Sequence, residues 1–171
     1  MNDWKKAMSP RTRALIIAYP FGLLPREDSN PKLLGQFCKE NCMYFIEDIS
    51  EAFGCRYDGK LLGCFGHFGC CSLFANKLVT AGDGGFVVSS DEDLGSRVPA
   101  VVSHGGTFGC GTFRFAHLED GPNCKMNGLA SAFVQPAIQE VPQLSENRRE
   151  VAGWYLEELN RVFEDWPNAP I

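Results

Sequence analysis

Three short apolar runs, each closed off by turn-forming residues, limit what this chain can fold into. Ala14 to Ala18 has Arg11 and Arg13 before it and Pro20 and Gly22 after it. Met43 to Ile46 ends at the acidic pair Glu47-Asp48, and Cys70 to Phe74 follows a turn region containing Gly54, Asp58-Gly59 and Gly63. Runs of this length suit strands, and unbroken apolar character suits parallel strands covered on both faces. Between the first two, Pro31 to Cys42 places Leu33, Leu34, Phe37 and Cys38 along one side of a helix, with Pro31 near its tolerant N-terminus. Strand, helix, strand, loop, strand is the rhythm of an α/β sheet with crossover connections.

Further along, Gly82 to Gly85 is a turn leading into Phe86-Val87-Val88-Ser89, and Gly105 to Gly111 reads as a surface loop. From Gly128 the pattern becomes helical, and Pro136 and Pro142 are expected to kink or divide the first helix. The last helix carries Val151, Trp154, Tyr155, Leu159, Val162 and Phe163 at helical spacing, up to Pro167. A chain of 171 residues, 44% hydrophobic, is long and apolar enough for one real core.

The net charge of -5, without a long Lys/Arg block, gives no attraction to phosphate backbones or anionic lipid, which argues against nucleic acid and membrane as partners. The first apolar run is too short for a signal segment or membrane span, so the chain reads as soluble and cytoplasmic. Eight cysteines raise the question of metal, and Cys38/Cys42 and His67/Cys70 have ligand-like spacing. No paired C-x-x-C knuckles occur, and adjacent Cys70 and Cys71 point to opposite faces of a strand. The expectation is reduced thiols packed as small apolar side chains, with no metal site.

Ligands of open α/β sheets sit outside the carboxyl ends of the strands, so polar residues just past an apolar run are the candidates for chemistry. Asp48 follows Tyr44-Phe45-Ile46; it either meets a ligand or caps a helix. Lys77 follows Ser72-Leu73-Phe74-Ala75-Asn76 and precedes Thr80-Ala81-Gly82-Asp83-Gly84-Gly85. It is either a solvated surface charge or an amine able to form a Schiff base. Ser72 and the nearby glycines can offer donors to a phosphate, or can serve only the turn.

Four segments in order carry a resemblance. Ile46-Glu47-Asp48-Ile49-Ser50-Glu51-Ala52-Phe53-Gly54, followed by Tyr57-Asp58-Gly59-Lys60 and Gly63, resembles the segment bearing the pyridine-binding aspartate of the DegT/DnrJ/StrS nucleotide-sugar aminotransferases. Ser72-Leu73-Phe74-Ala75-Asn76-Lys77 with Gly82-Asp83-Gly84-Gly85-Phe86-Val87-Val88 is similar to their Schiff-base lysine segment. His104-Gly105 and Gly121-Pro122-Asn123-Cys124-Lys125-Met126-Asn127 resemble two later landmarks, and the similarity runs from Ser9 to Arg149.

The resemblance implies a partial fold-type-I large domain, α/β with a mainly parallel sheet and flanking helices, over residues 1–144. Residues 145–171 would form a helix leading into a truncated C-terminal domain. It implies pyridoxal 5'-phosphate as cofactor, a homodimer, and amino transfer from an amino acid, glutamate being expected, to a keto nucleotide-sugar. Residue by residue, it assigns Lys77 to the Schiff base and proton transfer, Asp48 to the pyridine nitrogen, Ser72 to the phosphate, and Asn123 to the phosphate in the partner's site. Glu51 takes the place near the cofactor ring where the family usually has glutamine or histidine. The same resemblance implies that a family N-terminal region and most of a C-terminal domain are missing from the chain. A non-catalytic remnant or regulatory binding module of the same fold is the alternative reading.

Overall fold

The computed structural model describes residues 3–25, 29–107, 116–117 and 119–165. In chain order the elements are α1 (Asp3–Lys6), β1 (Ala14–Ala18), a 3-10 turn at Pro20–Gly22, α2 (Pro31–Glu40), β2 (Tyr44–Asp48), β3 (Arg56–Tyr57) and β4 (Lys60–Leu61). They continue with β5 (Phe68–Ser72), β6 (Gly85–Ser89), α3 (Glu92–Val101), β7 (Gly106–Thr107), β8 (Ala116–His117), α4 (Gly128–Gln139) and α5 (Val141–Asp165). The main sheet has the order β1-β2-β5-β6, with the first three strands parallel and β6 antiparallel to β5. Asp48 stands opposite both Ala18 and Cys70, so the carboxyl ends of β1, β2 and β5 form one edge.

α2 forms where the 3.6-residue pattern and its caps agree. The Asn30 side chain accepts the Leu33 N–H at 3.0 Å, Pro31 occupies the first turn, and Leu34 and Cys38 turn inward onto Met43 and Phe45. The helix stops two residues before the expected Cys42, because the Asn41 side chain caps the Phe37 carbonyl at 2.8 Å and Cys42 adopts φ 51°. A second cluster joins Tyr19, Ile49, Ala52, Leu62 and Cys71, and a third joins Leu73 and Val79 to Val134 of α4.

Three expectations shift. β1 has the expected bounds but is not covered on both faces: it is an edge strand of alternating exposure, and Ile16 is 67% exposed. β2 extends through Glu47 and Asp48, since Glu47 finds hydrogen-bond donors inside the fold. β5 begins two residues before the expected run, at Phe68, and includes Gly69, which pattern reading discounts. The helical segment divides at Glu140, with Pro136 held inside α4 and Pro142 in the first turn of α5, where no N–H is needed. The strand pair β7–β8 lies at the start and just beyond the end of the expected Gly105–Gly111 loop, while residues 108–115 and Pro167 lie outside the described residues.

Candidate active site

The edge formed by β1, β2 and β5 opens into a cleft of about 250 Å³. Tyr19 and Pro20 reach it from the turn after β1, Asp48, Ser50 and Glu51 from the end of β2, and Lys77 from the loop between β5 and β6. That loop is well anchored. Leu73 N donates to the Gly84 carbonyl and Ala81 N to the Leu73 carbonyl, both at 2.9 Å, while Leu73 and Val79 are buried in the third cluster. Lys77 N itself donates to the Phe74 carbonyl at 3.0 Å. The lysine therefore projects from a fixed backbone rather than from a loose surface loop.

Inside the cleft Lys77 Nζ lies 3.3 Å from Glu51 Oε1. Glu51 Oε2 accepts the Phe21 N–H at 2.9 Å, so the carboxylate joins the turn after β1 to the lysine loop. The Phe21 N–H, and next the Lys77 ammonium, hold the Glu51 carboxyl below its ordinary value, against the opposing effects of desolvation and, less, of Asp48. Asp48 Oδ1 accepts the Ser50 N–H at 3.0 Å. Ser50 Oγ accepts the Ser72 N–H, and Ser72 Oγ accepts the Phe74 N–H, each at 3.2 Å. Both hydroxyls act as acceptors in these bonds and keep their own protons for a further acceptor.

The structure thus brings together three of the five residues singled out in the sequence, Lys77, Asp48 and Glu51, around one cleft, while Ser72 is not a lining residue but is bonded through its N–H to the lining residue Ser50. Asn123 is not among the lining residues; it is exposed and pairs with Ser103 in an isolated antiparallel bridge. Pattern reading missed Tyr19, Ser50 and Glu47. Glu47 is completely buried and accepts Tyr19 Oη and Gly63 N at 2.9 Å on Oε1, and Phe65 N and Gly66 N at 2.7 Å on Oε2. The available signal was the acidic pair itself: neighbours on a strand face opposite ways, so one of Glu47 and Asp48 had to point inward.

The residue types define a class of site. One primary amine and two carboxylates in a partly enclosed cleft, beside the Ser50–Ser72 pair, are groups able to form a Schiff base with a carbonyl and to make hydrogen bonds to a polar ligand. Residues 2–168 match the sequence model of the DegT/DnrJ/EryC1/StrS aminotransferase family, and the chain belongs to that family.

Its relatives agree. The chain is 31% identical over 165 residues to a UDP-N-acetyl-3-dehydro-alpha-D-glucosamine 3-aminotransferase of Acidithiobacillus ferrooxidans, covering 96% of this chain and 42% of that protein. It is 27% identical to the GDP-perosamine synthase of Escherichia coli O157:H7, covering 96% of this chain and 43% of the relative. Among solved structures it superposes with a TM-score of 0.81 on PseC of Helicobacter pylori, an aminotransferase involved in the biosynthesis of pseudoaminic acid. That match is 28% identical and covers 95% of this chain and 42% of the other. The chain therefore spans about two-fifths of the length of the relatives it matches.

Proposed function

We propose that this chain carries the cofactor-binding core of a pyridoxal-phosphate-dependent nucleotide-sugar aminotransferase. The observation that supports it is the convergence of Lys77, Asp48 and the Ser50–Ser72 pair at one edge of a mainly parallel sheet. The donor set fits the cofactor: an amine for its aldehyde, a carboxylate for its ring N–H, and two hydroxyls with free protons for its phosphate. When bound, the cofactor supplies an electrophilic carbon and a ring that accepts electron density.

The residues of the chain do the rest. Asp48 keeps the ring nitrogen protonated by placing a negative charge beside it. Ser72, supported by Ser50, holds the phosphate through hydroxyl donation. Lys77 would hold the cofactor's carbonyl carbon through Nζ and would be the base that moves the proton at the substrate carbon that gains or loses nitrogen. The enclosing turn at Tyr19–Pro20 limits water on one side of the cleft.

Residues 1–144 form part of the large domain in this reading, and 145–171 lead into a C-terminal domain. The amino donor is an amino acid, glutamate first, and the acceptor a keto nucleotide-sugar, in keeping with the sugar nucleotides named for the relatives. The working form is a cytoplasmic homodimer in which Asn123 serves the partner's phosphate site. Among the described residues no helix is long and apolar enough to cross a membrane.

The test is amino transfer itself. The protein is incubated with pyridoxal phosphate, glutamate and a panel of UDP- and GDP-linked keto sugars, and amino sugar nucleotides are sought by mass spectrometry. Product that disappears in Lys77→Ala supports the reading. Cofactor-loaded protein that yields none with any member of the panel contradicts the assignment of substrate class.

A further inference from the structure

The geometry points to Glu51 as a gate on Lys77: its anchored carboxylate holds the Lys77 ammonium in an ion pair that has to open before the amine can capture a carbonyl. The inference rests on the reading of Lys77 as the carbonyl-capturing residue.

The pair differs from an ordinary surface contact in three ways. Glu51 is tied at its second oxygen to the Phe21 main chain at 2.9 Å, so the carboxylate is held from a separate segment of the fold. Phe21 adopts φ 54°, an uncommon conformation for a bulky side chain, within a turn closed by Gly22 N to Tyr19 O and Leu23 N to Pro20 O. The lysine is the more enclosed partner, with a side-chain exposure of 18% against 41% for Glu51. The Lys77 amine is therefore met by a fixed anion at the mouth of the cleft.

Capture needs the nitrogen lone pair, which the ammonium lacks. The Nζ–carbon bond forms after a proton leaves Nζ, and the carbonyl oxygen departs as water carrying two of the three ammonium protons. The third remains on the nitrogen, so charge is conserved and no oxidant or reductant takes part. The first of these events dissolves the ion pair with Glu51, whereas the end state again places a cation beside that carboxylate. Glu51 therefore slows capture more than it disfavours the captured state.

The experiment uses pyridine-4-carbaldehyde, a neutral aldehyde, so that repulsion between Glu51 and a charged probe does not enter. Adducts are fixed with cyanoborohydride and counted peptide by peptide by mass spectrometry, with exposed Lys39 as the internal reference. Glu51→Gln keeps an oxygen for the Phe21 N–H and removes only the charge. Labelling of Lys77 is expected to rise about two- to fivefold in this variant, the range of a half-exposed ion pair, while Lys39 is unchanged. The wild-type chain offers the same test without substitution: raising NaCl from about 0.05 M to about 1 M screens the pair and speeds labelling of Lys77 relative to Lys39. Equal or slower labelling in Glu51→Gln, with no response to salt, overturns the gate alone. Lys39 labelled and Lys77 unlabelled in every sample overturns the carbonyl-capturing role of Lys77, and the gate falls with it.

Discussion

The Tyr19 hydroxyl donates to Glu47 Oε1 across 2.9 Å, joining the end of β1 to the inward face of β2 at a point where both residues are almost wholly removed from solvent. Glu47 has no cation in this contact set; its charge is held by the Tyr19 hydroxyl and by the amides of Gly63, Phe65 and Gly66. Charge-assisted hydrogen bonds of this kind offset desolvation only while all of them are made. Glu47→Ala strands four donors, three of them buried and that of Phe65 partly so, and is expected to cost about 3–5 kcal/mol in unfolding by denaturant. Tyr19→Phe removes one donor and is expected to cost about 1–2 kcal/mol.

Alkaline titration separates Tyr19 from its neighbours. Burial first, then the Glu47 carboxylate, raises the Tyr19 phenol well above its ordinary value of 10.0. The unfolded chain releases this proton near that ordinary value and the native chain keeps it. Stability is thus fully present below pH 10 and falls as pH rises beyond it, by up to about 1.4 kcal/mol per pH unit for this group. Cys71, pushed up from 9.0 to about 11 by burial and then by Asp48, adds a similar loss that begins nearer pH 9. The difference in slope between wild type and Tyr19→Phe above pH 10 isolates the tyrosine; identical slopes would contradict its burial beside Glu47.

Gly69 and Gly63 pack backbone against backbone at the start of β5. A Cβ on Gly69 would collide with the Gly63 carbonyl oxygen and the rest of its main chain, and Gly63 itself has φ 88°. Neither neighbour is a flexible side chain that can move aside. Gly69→Ala is expected to destabilise by about 2–3 kcal/mol in thermal or denaturant unfolding, and an unchanged midpoint would contradict this packing.

Thiol accessibility gives an independent check of the fold. Cys38 and Cys71 are buried and their thiols are raised by desolvation, whereas Cys42 and Cys124 are exposed. Iodoacetamide at neutral pH is expected to modify Cys42 and Cys124 first and to reach Cys38 and Cys71 only on unfolding. Peptide mass spectrometry reads the order directly.

The parts of the fold legible in the sequence were those where local pattern and tertiary role coincide. β1 lies at Ala14–Ala18 as the apolar run implies, α2 begins at Pro31, and the Asp58-Gly59 turn closes β3 onto β4 with φ of 49° and 76°. Asp48 was legible as a polar residue closing an apolar run and Lys77 as one in the loop after a strand, and both line the cleft, Asp48 as the last residue of β2. Glu47 was not, because a charge inside a strand is tolerated only through amides brought from 16 to 19 residues away. Helix α3 was passed over: no residue of it is buried and Pro99 interrupts its pattern, so its main signals are the Asp91 cap on Leu94 N and the acidic first turn. The exposure of Ile16 was hidden for the opposite reason, since an edge strand and a central strand can carry the same apolar run.

The claim that Lys77 and Asp48 form one cofactor site is tested most directly by the absorption spectrum of the purified protein titrated with pyridoxal phosphate, before and after borohydride, alongside Lys77→Ala and Asp48→Asn. The account predicts a visible band that borohydride bleaches, absent in Lys77→Ala, with binding weakened about 10- to 100-fold in Asp48→Asn through loss of a charge-assisted contact. Folded wild-type protein that shows no such band, or a band that survives in Lys77→Ala, would contradict it.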